Sequence, residues 1–294
     1  MKRRVGLLLI SLLIVLLMNN PVMGEDNYLF QMTDPQGDEY GPGTYIYPTS
    51  QQFVPFEGLF DLLNFKVKDV DSNYIFELKF TSITNPWHAK YGFSHQLVQI
   101  YIDNDLGGAT NVFKKGANVK FDPDTPWNKL IKINGWNIKV FDYQDKPTAK
   151  DGDISEAEVQ ILDDQQTIQV SIPKKKIGDL KAAKYYLLVG SLDGFSYDNY
   201  RPVVKEVSEW KFGGGTDTEF NPNVLDILVP EDKEQKEILS SYDVKNGEFA
   251  MIYSVGSKSK ISSKLIVILV TLAIIIIIPT IIKYKKELLN FNNK

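Results

Sequence analysis

The stretch Asp34–Asp61, DPQGDEYGPGTYIYPTSQQFVPFEGLFD, decides how the rest of the chain is read. It sets Asp34, Asp38 and Asp61 around a run of Gly and Pro (Pro35, Gly37, Gly41, Pro42, Gly43, Pro48), with Tyr40, Tyr45 and Tyr47 interleaved. Glycine permits positive φ and proline fixes φ near −65°, so this segment can be neither a helix nor a central strand. It reads in one of two ways. Either it is a set of surface turns with solvated aspartates, or it is a long ordered loop that fixes carboxylate and carbonyl oxygens in place, as a hard cation such as calcium requires. On the second reading the ligands are Asp34, Asp38 and Asp61.

Downstream, the chain is written in strands. Tyr74–Phe80 alternates, with Tyr74, Phe76, Leu78 and Phe80 on one face, and Asp71-Ser72-Asn73 joins it to Phe60–Val70 as a hairpin. Leu97–Asp103, Trp136–Tyr143, Val159–Leu162, Thr167–Ile172, Tyr185–Leu192, Val203–Phe212 and Val224–Val229 follow, with Tyr185–Leu192 apolar enough to be central. Pro173–Leu180 and Pro230–Ser241 are expected to hold short helical turns. Short strands bounded by Gly, Pro, Asn and Asp, without βαβ alternation, predict an all-β sandwich.

Both ends carry other signals. Lys2-Arg3-Arg4, an apolar run from Val5 and a small-residue end at Gly24 form a secretory leader over residues 1–24. Leu265–Ile282 is uncharged; at about 1.5 Å per residue it is long enough for a transmembrane helix. The expected order is leader, β-sandwich ectodomain over 25–255, stalk over 256–264, span over 265–282 and cytoplasmic tail over 283–294. Lysines flank the span on both sides, so the leader sets the orientation: a single-pass protein of the cell membrane, its large domain extracytoplasmic.

Composition excludes several functions. The chain has no cysteine and two histidines, which rules out thiolate-bound zinc or iron–sulfur clusters and a multi-histidine metal site. Its 37 acidic residues outnumber 33 basic ones, three of which lie in the leader, and no basic stripe marks a nucleic-acid partner. No Gly-x-Ser-x-Gly elbow and no spaced carboxylate pair marks an enzyme. Asp103-Asn104-Asp105 has the spacing of a calcium-loop front, but Lys114 stands where an EF-hand needs Glu, and the segment reads as a strand-end turn. Gly213-Gly214-Gly215 has no following P-loop lysine and reads as a tight turn.

Of the four tryptophans, Trp87 and Trp127 each follow a proline in loop-like surroundings, where a rigid ring can stack on a sugar; Trp136 and Trp210 sit in strand-like runs and are expected in the core. The candidate carbohydrate contacts are therefore Trp87 and Trp127, with Asn85 and Tyr101 as polar neighbours.

Several of these segments together carry a resemblance. Asp34-Pro35, Gly37-Asp38, Gly41-Pro42-Gly43, Tyr45, Tyr47-Pro48, Gly58 and Asp61 resemble the opening of the C-terminal binding module of glucodextranase. So do Asn85-Pro86-Trp87, Gln99–Asp103, Trp210 with Phe212-Gly213-Gly214-Gly215, Pro222–Asp226, and Gln235 with Ile238-Leu239. The resemblance covers residues 28 to 255. That family is similar to DOMON-like domains and family 9 carbohydrate-binding modules, which implies a jelly-roll-like sandwich, structural calcium, and binding of an α-glucan or surface glycan beside a separate glycoside hydrolase or transporter. It does not imply the glucodextranase reaction. Three alternatives stay open: a structural surface or adhesion protein, a DOMON-type haem protein drawing axial ligands from His88, His95, Met32 and Met251, and a glycosidase, since carboxylates are plentiful although no spacing marks a catalytic pair.

Overall fold

The structure is a computed structural model and describes residues 28–147 and 156–256. The leader, the span, the tail and all but the first residue of the stalk lie outside the described residues. Among those described, no helix is long and apolar enough to cross a membrane. In chain order the strands are β1 (Tyr28–Thr33), β2 (Leu62–Val70), β3 (Asn73–Phe80), β4 (Gln96–Asp103), β5 (Val119–Phe121), β6 (Lys129–Ile133), β7 (Ile138–Asp142), β8 (Glu158–Ile161), β9 (Thr167–Pro173), β10 (Lys184–Ser191), β11 (Asp226–Ile227), β12 (Ala250–Ile252) and β13 (Val255–Gly256). Two one-turn helices, α1 (Lys174–Ile177) and α2 (Gln235–Leu239), interrupt them.

The strands form two antiparallel sheets, ordered β1-β2-β3-β9-β8 and β11-β10-β4-β6-β7, with β13 also paired to β10. The β2–β3 hairpin closes where the alternation predicts, Val70 opposite Asn73, around Asp71 at φ 47°. On β3 the side chains Tyr74, Phe76, Leu78 and Phe80 turn inward, while Glu77 on the other face is tied to Lys68 at 2.8 Å and to Gln169 at 3.0 Å. Phe65 and Phe76 of the first sheet meet Val98, Ile100, Tyr185 and Leu187 of the second in one core, where the Phe65 and Tyr185 rings stand edge to face at 5.5 Å. The expected all-β sandwich is what the chain forms.

β10 and β4 explain the uninterrupted apolar run at Tyr185–Leu192. They pair along their full length, from Lys184 opposite Asp103 to Ser191 opposite Gln96. Tyr185, Leu187 and Val189 face the first sheet; Tyr186 and Leu188 face the other way, into a second core with Leu97, Tyr101, Phe121, Trp127 and Ile238. A strand buried on both faces loses the polar half of its alternation. The second core is roofed by long connections, the parallel β5–β12 pair and α2.

The sequence expectations fail at three places here. Val203–Phe212 is no strand: its backbone makes a single bridge between its two ends, because Lys205, Glu206, Ser208 and Glu209 leave no apolar face to pair. β7 starts at Ile138, after a turn in which the Asn134 side chain accepts the N–H groups of Trp136 and Asn137. Three of the four tryptophans invert their expected places. Trp136 and Trp210 are 37% and 42% exposed, whereas Trp127 is 1% exposed, its indole N–H donating to the Asn111 carbonyl at 2.8 Å. The proline before Trp127 does not raise the ring to the surface; it turns the chain down into the second core, where Tyr101 and Phe113 pack edge-on against the indole.

The contrast yields a stability prediction. Trp127→Ala removes a filled core position and is expected to cost about 3–5 kcal/mol. Trp136→Ala is expected to stay within roughly 1 kcal/mol of the parent, as exposed positions do. Denaturant midpoints of the two variants check this; equal midpoints would contradict the burial.

Candidate functional site

The loop from Asp34 to Asp61 is ordered, and its partners come from the far end of the chain. The Gly41 N–H donates to the Leu225 carbonyl at 2.8 Å, the Tyr45 hydroxyl to the Pro222 carbonyl at 2.7 Å, and Ile46 bridges Gly213. Gly214, at φ 78°, lies so close to this loop that a Cβ there would stand 1.9 Å from the Thr44 carbonyl oxygen. That close approach, more than a turn after Trp210, is what the glycine run supplies. Gln235 of α2 clamps the arrangement, donating to the Asp38 carbonyl while accepting the Ile227 N–H at 2.7 Å.

This stitching gathers carboxylates. Asp34, Asp38 and Asp226 each offer an oxygen, and these lie within 4.8 Å of one another. Asp34 and Asp226 are buried. One Asp226 oxygen accepts the Leu62 N–H at 2.7 Å and the other has no partner. Neither oxygen of Asp34 has a hydrogen-bond donor except what the facing Asp226 carboxyl supplies once protonated. Asp61 is adjacent but occupied: it accepts the Gly37 N–H at 2.7 Å and the Thr81 hydroxyl, and so closes the loop on itself. Of the three expected ligands, the structure thus brings Asp34 and Asp38 together and puts Asp226 where Asp61 was expected.

The electrostatics follow from the crowding. Burial, then the charge of Asp38, pushes the Asp34 carboxyl up to about 8. Burial, then Asp61, raises Asp38 to about 6. Asp226 is driven well above the usual carboxylate range by burial and by Asp34 and Asp38. Glu39, which sequence reasoning passed over, accepts from Tyr47 at 3.1 Å and from the Gly58 N–H at 3.0 Å, yet burial and the nearby Asp61 still raise it to about 7. Three oxygen donors with free lone pairs and unfavourable mutual charge suit a hard divalent cation, which takes six to eight oxygens and reverses the electrostatic cost of gathering them.

The carbohydrate candidates do not assemble a surface. Trp127 and Tyr101 are enclosed in the second core. Trp87 is half-buried against His95 and Phe53, with ring centroids 4.6 and 6.0 Å away. The Asn85 side chain both donates to and accepts from the backbone of Ala89, so its amide shapes the loop. Trp127 and Tyr101 therefore present no face for a sugar to stack on, whereas Trp87 keeps part of its ring at the surface. His95 is buried between Phe53, Phe60 and Trp87, and burial and Arg201 lower its pKa to about 3; His88, Met32 and Met251 stand on a turn, on β1 and on β12. The Asp103-Asn104-Asp105 segment is a strand-end turn, as read, with two backbone N–H groups on the Asn128 side chain at 2.9 Å.

The sequence of residues 29–254 matches the family described as the C-terminal binding-module, SLH-like, of glucodextranase. The chain belongs to that family. The matched range is the sandwich itself, from the second residue of β1 to the approach to β13, so the whole described fold is one glucodextranase-type binding module. Its scattered motifs are one structure: the Gly/Pro loop, the glycine run, Pro222–Asp226 and Gln235 touch one another around the carboxylates. No curated protein matches the chain.

The raised carboxyls set a pH dependence for the metal-free chain. A carboxyl with a folded pKa above its unfolded value holds its proton in the folded state when the unfolded chain has released it. Its contribution is therefore fully present below about 4 and is lost as pH rises through the folded pKa. With chelator, the melting temperature is expected to fall from pH 4 to 8, through the values near 6 for Asp38 and 8 for Asp34. Asp34→Asn is expected to flatten that fall; a pH-independent midpoint would contradict the cluster's geometry.

Proposed function

We propose that the chain is an extracytoplasmic module, held at the membrane by residues 265–282, that binds a glycan and does not transform it. The glycan is an α-glucan or a cell-surface glycan, and the module works beside a separate glycoside hydrolase or transporter. The observation that carries this reading is the extent of the family match: a binding module accounts for residues 29–254, the whole of the described fold. Calcium belongs to the same reading. Asp34, Asp38 and Asp226 would hold it, and its role is to lock the long loop against β11 by cancelling the charge that the fold gathers there.

A glycan array probed with the full chain in detergent, with and without chelator, tests the proposal. Binding to a subset of glycans supports it. An array with no signal, from protein that melts cooperatively, would overturn it and leave a structural or adhesive role. For calcium, a ligand that binds only the folded state adds about 2.7 kcal/mol at a hundredfold excess over its Kd. Added calcium is therefore expected to raise the melting temperature measurably and to abolish the pH-dependent fall seen with chelator. Asp226→Asn should remove the calcium response, and a calcium-indifferent midpoint would sink the metal assignment.

A further inference from the structure

The described chain enters and leaves the sandwich at one end. Tyr28, on β1, stands opposite Lys68, close to the tip of the β2–β3 hairpin. Gly256, on β13, stands opposite Lys184, which is itself opposite Asp103. Hydrogen bonds join the two sheets here. The Lys174 N–H donates to the Ser72 carbonyl at 3.0 Å, the Leu180 N–H to the Tyr74 hydroxyl at 3.3 Å, and the Asn104 amide to the Ile177 carbonyl at 2.9 Å.

The connections that spring from the opposite end of the strands carry the four most exposed aromatic side chains among the described residues. Trp136 and Trp210 are joined there by Phe195, 104% exposed, and Tyr197, 82% exposed. Single exposed aromatics need no explanation. Four of them, on three loops that all start away from the entry and the exit, do call for one.

Each ring stands on backbone that the fold fixes. Under Trp136, the Asn134 side chain accepts the N–H groups of residues 136 and 137, and the Gly135 carbonyl accepts the Tyr91 N–H at 3.0 Å. The Trp210 carbonyl accepts from the buried Arg201 guanidinium at 2.8 Å. That group also donates to the Leu192 carbonyl at 2.7 Å and the Ser191 hydroxyl at 3.0 Å, so it ties the Trp210 loop to the root of the Phe195 loop. Asp193 accepts the Phe195 N–H at 3.0 Å and the Ser196 hydroxyl at 2.7 Å. Beyond Tyr197, the buried Asp198 carboxylate accepts from Lys132 of β6 and Gln99 of β4, each at 2.6 Å. Asp198 and Asn199 adopt left-handed backbone, at φ 47° and 65°, which persists only where the surroundings over-determine it. The backbone under the rings is therefore set before anything binds, which reduces the ordering cost of binding.

An exposed ring on fixed backbone offers a flat apolar face, which suits the C–H face of a pyranose. Rings on three loops offer several such faces to successive units of one chain. From this placement we infer that the end opposite the entry and exit seats the glycan of the proposed function, and that it takes an extended run of pyranose units on Trp136, Trp210, Phe195 and Tyr197. The inference rests on the glycan-binding reading; it adds where the glycan lies and that it is recognised along its length. Residues 257–294 continue from the other end, so an anchor among them leaves this end free.

A glycan array that displays each α-glucan and surface polysaccharide as a ladder of lengths, titrated with the full chain in detergent, tests it. Apparent affinity is expected to rise at least about tenfold from disaccharides to the longest fragments, as successive units engage further rings. The variants W136A, W210A and F195A/Y197A should each lose about tenfold or more on the glycans the parent binds. For W136A and F195A/Y197A the melting temperature should stay that of the parent. Leu106→Ala, an exposed side chain at the end where the chain leaves, should change neither quantity. Unchanged affinity in all three aromatic variants would overturn the site while leaving glycan binding intact, and equal affinity at every length would overturn recognition of an extended run. A silent array from protein that melts cooperatively would instead remove the glycan reading itself, and this inference with it.

Discussion

The eight-pair register between β4 and β10 is the constraint on which everything else depends. Because both strands are buried on both faces, they cannot slip: a shift of one residue would exchange Tyr185, Leu187 and Val189 with Tyr186 and Leu188, and would move every side chain into the wrong core. The same two strands carry the groups that fix the surface loops. Gln99 reaches out of β4 to Asp198, and β11 pairs with Leu188 and Val189 to deliver Asp226 to the carboxylate cluster. The carboxylate cluster and the Asp198 loop are thus both indexed to one strand pair.

The sandwich was legible where a strand has one wet face. β3 alternates because Glu77 and Lys79 need water or partners while Phe76 and Leu78 do not, and the turn at Asp71 names its own hairpin. Legibility failed where a third layer covers the sheet. Residues 104–128 and 193–225 have little periodicity, yet they roof the second core, so their apolar residues, Phe113, Trp127 and Tyr200 among them, look like loop residues and behave like core. Tryptophan placement went wrong for that reason: a preceding proline reports local backbone, and burial is decided by what lies across from the ring.

The carboxylate cluster shows the same limit in another form. Asp34 and Asp38 were visible because they crowd one short stretch of sequence. Asp226 was not, since it lies beyond the glycine run and beside apolar neighbours in Val224–Val229. A lone aspartate in an otherwise apolar, buried run is itself a signal, because a carboxylate is costly to bury without a partner. Asp61 misled because it is equally buried but spends its oxygens on the loop's own backbone and on Thr81. Counting acids locates such a site; accounting for each acid's lone pairs is needed to say which of them remain available.

The way the chain leaves the sandwich has a mechanical consequence. Its last described strand, β13, is joined to β10 by two residue pairs, Lys184 with Gly256 and Tyr185 with Val255. β12 just before it pairs with β5 over three. A pull applied beyond Gly256 therefore meets two pairs first, then three, then the two that join β11 to β10, before it reaches the eight that hold β10 to β4. Under tension applied there the short pairs part first, while the inner sandwich stays closed. Rupture under load follows the barrier of the segment being pulled and not the stability of the whole, so the β13 end can yield while the rest of the sandwich stays folded.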